Sequence, residues 1–200
     1  GSGVRLNGIG GTNSVIGNEI NGVERDGVEA YNTQNLTVAN NTLRNIGRDG
    51  IYLDGIANAN LDLNNIFDVV RDGIHANNLS AVTGDNRVTR NKIYNIGHDG
   101  INLNNVTNAF VDSNQVHDLM HDAIHATNLS ATPTARSVFS NNTIYGIGQD
   151  GIHLESVEYA SVISNTISRT SKNGIFADNS AGDVLGGRGP KPIGSGPIGF

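Results

Sequence analysis

Apolar and polar residues alternate along this chain in very short runs, as in Ile51-Tyr52-Leu53 and Leu61-Asp62-Leu63, and asparagine or glycine interrupts them every few residues. A period of two is that of a strand, and the chain nowhere sustains the helical period. The runs themselves recur. Arg71-Asp72-Gly73-Ile74-His75-Ala76 is rewritten as Arg25-Asp26-Gly27-Val28-Glu29-Ala30, Arg48-Asp49-Gly50-Ile51-Tyr52-Leu53, His98-Asp99-Gly100-Ile101-Asn102-Leu103, His121-Asp122-Ala123-Ile124-His125-Ala126, Gln149-Asp150-Gly151-Ile152-His153-Leu154 and Lys172-Asn173-Gly174-Ile175-Phe176-Ala177. Successive copies are 23, 23, 27, 23, 28 and 23 residues apart, taking the differences of positions 26, 49, 72, 99, 122, 150 and 173. An asparagine two places before an apolar residue keeps the same time, at Asn18, Asn41, Asn64, Asn91, Asn114, Asn142 and Asn165. All variation in length falls in the connections 79–87 and 129–136, which share the sequence Asn-Leu-Ser-Ala.

Strands this short cannot bury a face alone, whereas stacking each unit on its neighbour gives every strand a parallel partner at roughly 4.8 Å. About 23 residues suffice for three short strands and three turns. The expected fold is therefore all-β, a right-handed parallel β-helix of about seven coils over residues 1–180. One inward column is Val15, Val38, Leu61, Val88, Val111, Phe139 and Val162; another alternates Ala30, Leu53, Ala76, Leu103, Ala126, Leu154 and Ala177. The seven repeated asparagines are expected at a turn, as a ladder of amides bonded from coil to coil. The glycine after the aspartate reads as a bend that needs positive φ, with Ala123 the one exception in seven, so the bend does not absolutely require glycine. Residues 181–200 break the pattern and form a Gly/Pro-rich tail, expected to dock on its own helix or on a neighbouring subunit.

Composition narrows the function classes. With no cysteine, neither disulfides nor thiolate metal sites are available. No apolar run approaches the length of a membrane span, so no membrane insertion is expected. A formal net charge of −6 argues against nucleic acid and strongly anionic polymers as partners. There is no phosphate-cradling glycine loop and no nucleophile elbow.

The outward positions of the repeated stretch are where chemistry can sit. They form the column Glu29, Tyr52, His75, Asn102, His125, His153 and Phe176, beside a largely basic column of Arg25, Arg48, Arg71, His98, His121, Gln149 and Lys172. Arg48, Tyr52, Arg71, His75, His98, His121, His125 and His153 are the candidate surface. A proton carrier such as His125 or Tyr52, with Arg71 against a uronate, is the acid–base arrangement this surface offers. Repetition favours a surface over a unique catalytic centre, so no residue is assigned a catalytic role. His98 with His121 and His125 with His153 sit in adjacent coils, the spacing of imidazole metal ligands, yet a regular polar face accounts for them too. No metal or cofactor is expected. Phe67, Tyr94 and Tyr145 share another outward column.

The Asn-x-Ile…Asp-Gly-Ile unit resembles the parallel β-helix repeat of pectate lyase-like proteins, over about residues 15–180. That group includes mannuronan C5-epimerases and bacterial surface repeat proteins. The Asp-Pro-His-Glu motif that the resemblance would bring from the epimerases has no match here. The expectation is thus an extracellular or cell-surface structural protein, an adhesin-like rod or a subunit stacking end to end in a fibre. Its main partner would then be itself. The alternative is a lyase, epimerase, hydrolase or carbohydrate-binding module, with polysaccharide as partner.

Overall fold

A computed structural model describes residues 1–132 and 134–181 together with the backbone of Val184–Gly187. Among them all regular structure is β, and every pairing between named strands is parallel. The chain winds through three faces. The first sheet stacks eight strands: Val4–Asn7, Val28–Tyr31, Ile51–Asp54, Ile74–Leu79, Ile101–Val106, Ile124–Thr127, Ile152–Glu155 and Ile175–Asp178. The second runs from Asn13–Ile16 through Ser137–Ser140, and the third from Glu19–Val23 through Thr143–Ile147. The long strand Ala160–Thr170 bends across both and joins them.

The eighth strand of the first sheet comes from a copy too degenerate to be recognised in the sequence. Val4-Arg5-Leu6 pairs with Val28-Glu29-Ala30, so Leu6 extends the alternating column and Arg5 the outward one. At the other end Val184–Gly187 pairs with Ala160–Thr170. The remainder of the expected tail lies outside the described residues.

The alternating column packs as large against small. Leu53, Ala76, Leu103, Ala126 and Leu154 face one another in register and are essentially inaccessible to solvent. Ala177, at the open end, is exposed. The Val15–Val162 column is buried throughout, and Phe139 fills the axis where its neighbours are valines.

Residues in the left-handed region make the corners. Asn40, Leu63, Arg90, Ser113, Asn141 and Ser164, all with φ between 53° and 58°, each stand one place before a ladder asparagine. Asn32, Gly55, Asn78, Asn105, Asn128, Ser156 and Asn179 turn the chain after the first sheet. Asparagine and glycine tolerate this conformation best, which accounts for much of their abundance.

The glycines after the aspartates are not among these. None of Gly27, Gly50, Gly73, Gly100, Gly151 and Gly174 has positive φ, contrary to the sequence expectation. All but Gly174 are there for want of room: a Cβ on Gly73 would lie 2.6 Å from Ile93 Cγ2 and 2.7 Å from the Gly100 carbonyl oxygen. The constraint comes from the next coil, not from the local backbone.

Two hydrogen-bonded ladders run the length of the stack, with opposite polarity. In the first, Asn64 Oδ1 accepts from the Asn41 backbone N–H at 3.1 Å and from Asn41 Nδ2 at 3.0 Å, while Asn64 Nδ2 donates to Val38 O and Asn91 Oδ1, both at 2.9 Å. The same set repeats from Asn41 to Asn142, and every asparagine from Asn41 to Asn165 is buried. In the second, each aspartate Oδ1 accepts the backbone N–H of its counterpart one coil later. It runs from Asp26 through Asp49, Asp72, Asp99, Asp122 and Asp150 to Asn173, at 2.7–3.1 Å.

Candidate functional site

The aspartate ladder places six carboxylates in line behind the first sheet, each at most 5% exposed. Stacked buried charges repel one another and lose hydration, so they need compensation. It comes from the residues just outside. Arg48 Nε is 3.8 Å from Asp26 Oδ1, and Arg71 Nε is 4.0 Å from Asp49 Oδ1. His98 Nδ1 lies 2.9 Å from Asp72 Oδ1 and 3.6 Å from Asp99 Oδ2. His125 Nδ1 is 3.4 Å from Asp99 Oδ2, and His153 Nδ1 is 3.0 Å from Asp122 Oδ2. The basic and imidazole columns thus pair with the aspartates as their alternation in the sequence implies, and the structure adds that those aspartates are buried.

The environments differ from coil to coil. Burial pushes the Asp49 carboxyl up, only partly offset by its bond to the Asp72 backbone and by Arg71 and His75. Burial also acts on Asp72, but the His75 imidazole and the Asp99 backbone outweigh it and hold that carboxyl low. His75 is drawn up by Asp72 and Asp49 against its own burial, and His125 is raised chiefly by its bond to Asp99. Glu29 keeps the outward register, paired with Arg5 and Tyr52, but its neighbours cover it. It is buried, and it accepts hydrogen bonds from Ser2, Arg25 and Tyr31 at 2.6, 3.2 and 2.7 Å. Burial together with Glu29 pushes the Tyr31 hydroxyl up to about 12.

Rings on the two aromatic columns are presented in opposite ways. On the third sheet Phe67, Tyr94, His117 and Tyr145 stack at 4.6–5.1 Å with interplanar angles of 5–7°, so each covers the next and only edges meet solvent. On the first sheet Tyr52 is tilted 51° to Tyr31 and 61° to His75, and Phe176 is tilted 69° to His153. Phe176 is 39% exposed, whereas Tyr52 is half-buried, as are the rings of the stacked column. His98–His121 and His125–His153 form two closely stacked imidazole pairs, with centroids 4.0 and 4.7 Å apart. Arg48, Arg71 and His98 keep 36%, 48% and 49% of their side chains in solvent. On the second sheet a polar recess gathers Arg87 and Arg90 against Asp62 and Asp112. Arg90 and Thr89 hold the Asp62 carboxyl low, and Ser140 does the same for Asp112, in each case against burial.

A three-faced parallel solenoid with two internal ladders and one outer face of tilted rings and cations defines a β-helix protein. The chain belongs to the right-handed beta helix region family, whose model matches residues 1–86 and 72–185. Among solved structures it is similar to the periplasmic alginate epimerase AlgG, at 16% identity and TM-score 0.53, covering 90% of this chain and 47% of that one. It is also similar to the A-module of the Azotobacter vinelandii mannuronan C-5 epimerase AlgE4, at 16% identity and TM-score 0.56, covering 89% and 63% respectively. The chain therefore spans about half of AlgG and under two thirds of the AlgE4 module. No curated protein is close enough in sequence to match.

Proposed function

We propose that this chain engages polysaccharide lengthwise along the outer face of its first sheet, as a binding β-helix outside the cytoplasm. The observation that carries the reading is the difference between the two ring columns. Tyr52 and Phe176 are tilted against their ring neighbours instead of stacked on them, and Phe176 is exposed, whereas the Phe67–Tyr145 column is closed by its own stacking. Tyr52 and Phe176 lie five coils apart on one column, roughly 24 Å at the usual strand spacing. A coil step is close to the length of one sugar residue, so Arg48, Arg71, His98 and His121 meet a bound chain about once per residue. The similarity of AlgG and AlgE4, both named as epimerases of alginate or mannuronan, supports this class of ligand. The missing Asp-Pro-His-Glu motif and the commitment of the imidazoles to buried carboxylates favour binding over epimerisation.

Affinity electrophoresis through neutral and uronate polymers tests it. Migration is expected to slow in at least one polymer. Tyr52→Ala with Phe176→Ala is expected to weaken binding about thirtyfold, at roughly 1 kcal/mol for each lost stacking contact. Tyr94→Ala on the third sheet leaves retardation unchanged. Unretarded migration in every polymer, or a loss that follows Tyr94 instead, refutes the proposal.

A further inference from the structure

Three clusters along the aspartate ladder bring histidine and carboxylate donors within 4.8 Å of one another: His98 with Asp99 and His121; Asp122 with His125 and His153; and Asp49 with Asp72 and His75. The first two are internally satisfied. His98 Nδ1 is held by Asp72 Oδ1, and Asp99 Oδ2 by Asn102 Nδ2 at 3.1 Å. Asp122 Oδ2 takes the His153 Nδ1 contact at 3.0 Å.

The third differs. Asp49 is fully buried, and its Oδ2 has no hydrogen-bond partner. His75 Nδ1 is buried too and makes no well-aligned hydrogen bond, although Asp72 Oδ2 lies 3.0 Å away and Asp49 Oδ2 3.8 Å away. In both aspartates Oδ1 serves the ladder, so the two Oδ2 atoms and the imidazole nitrogen converge with nothing between them. An unsatisfied buried carboxylate oxygen costs about 1–3 kcal/mol or more, and a stable fold that keeps one calls for an explanation.

We propose that Asp49, Asp72 and His75 bind a divalent first-row transition ion through Asp49 Oδ2, Asp72 Oδ2 and His75 Nδ1. Metal–ligand bonds of roughly 2.0–2.2 Å set donor–donor distances of about 3.0 Å at right angles and 3.4 Å in a tetrahedron, and the observed 3.0 and 3.8 Å straddle these values. Two carboxylates and one imidazole suit zinc or manganese, while calcium wants six to eight oxygens. The ion neutralises two adjacent buried aspartates that the neighbouring Arg71 reaches only at 4.0 Å, and only on Asp49 Oδ1. Second-shell support is present as well. His75 Nε2 lies 3.1 Å from the Asn77 carboxamide, and a half-turn of that group presents Oδ1 to the N–H that metal binding fixes at Nε2. The site does not depend on the polysaccharide reading.

The test is titration of the EDTA-treated full chain with zinc, with manganese and with calcium by calorimetry, with bound metal counted by mass spectrometry after desalting. One ion per chain is expected, along with a rise in melting temperature. Asp49→Asn and His75→Asn are expected to weaken binding about a hundredfold or more. His75→Asn installs the residue that Asn102 already supplies one coil on, so the fold tolerates it. His125→Asn, in a different cluster, leaves affinity unchanged. The proposal is overturned if His75→Asn binds as tightly as the parent, if the loss follows His125 instead, if calcium is preferred, or if no ion binds. The last outcome would leave a proton shared between His75 and the two carboxylates as the compensation.

Discussion

Replacing Asn64 by alanine removes one rung from the middle of the asparagine ladder. Four hydrogen bonds vanish: those that Asn64 Oδ1 accepts from Asn41 N and Nδ2, and those that Asn64 Nδ2 donates to Val38 O and Asn91 Oδ1. The Asn41 backbone N–H is left with no partner at a buried position, which costs about 1–3 kcal/mol, and the other three bonds contribute about 1 kcal/mol each. The expected loss is about 4–6 kcal/mol, a large part of the 5–15 kcal/mol typical of a folded domain. Asn18 donates to the same ladder but is exposed and receives nothing from an earlier coil, so Asn18→Ala should lose less than about 1 kcal/mol. Urea unfolding reports the midpoint and slope. Native-state hydrogen exchange at the Asn41 amide, with the distant Asn114 amide as reference, shows whether the damage stays with neighbouring coils, as expected of a solenoid. If Asn64→Ala loses under about 1 kcal/mol, or no more than Asn18→Ala, the ladder does not hold the coils together and the reasoning fails.

Two further outcomes are expected. Gly73→Ala pushes a methyl against Ile93 and the Gly100 carbonyl and should destabilise by about 1–3 kcal/mol in thermal or urea unfolding; an unchanged midpoint would show that the coils separate freely at that point. Glu29 is buried, but its bonds from Ser2 and Tyr31 and its pairing with Arg25 and Arg5 hold its carboxyl below the usual 4.5. A depressed native value means that its stabilisation is present above that pH and is lost as pH falls through the native value. Melting temperature measured against pH should therefore fall in that acid range more steeply for the parent chain than for Glu29→Gln, and parallel curves would remove Glu29 from the acid response.

The period of the chain was legible without coordinates because a solenoid is nearly one-dimensional. Equal spacing of Asn18, Asn41 and Asn64 in sequence becomes equal spacing in space, and the two-residue alternation around Leu53 and Leu61 says which side chains point inward. Those relations need only chain length and pleat. What lay beyond the sequence were the contacts between coils that spacing does not encode. Local reasoning gave Gly73 a positive φ, whereas a carbonyl 27 residues later leaves no room for its Cβ, the difference between Gly73 and Gly100. Pattern placed Glu29 on the outer column, where its register keeps it, but could not show that Ser2, Arg25 and Tyr31 close over its carboxylate. The aspartates looked like turn residues because Asp-Gly usually is one. Only the stacked coils show that one oxygen of each serves a ladder while the other, at Asp49, is left bare beside His75. Which atom of a carboxylate finds a partner depends on side-chain rotation and on the coil above, so tertiary structure alone decides it.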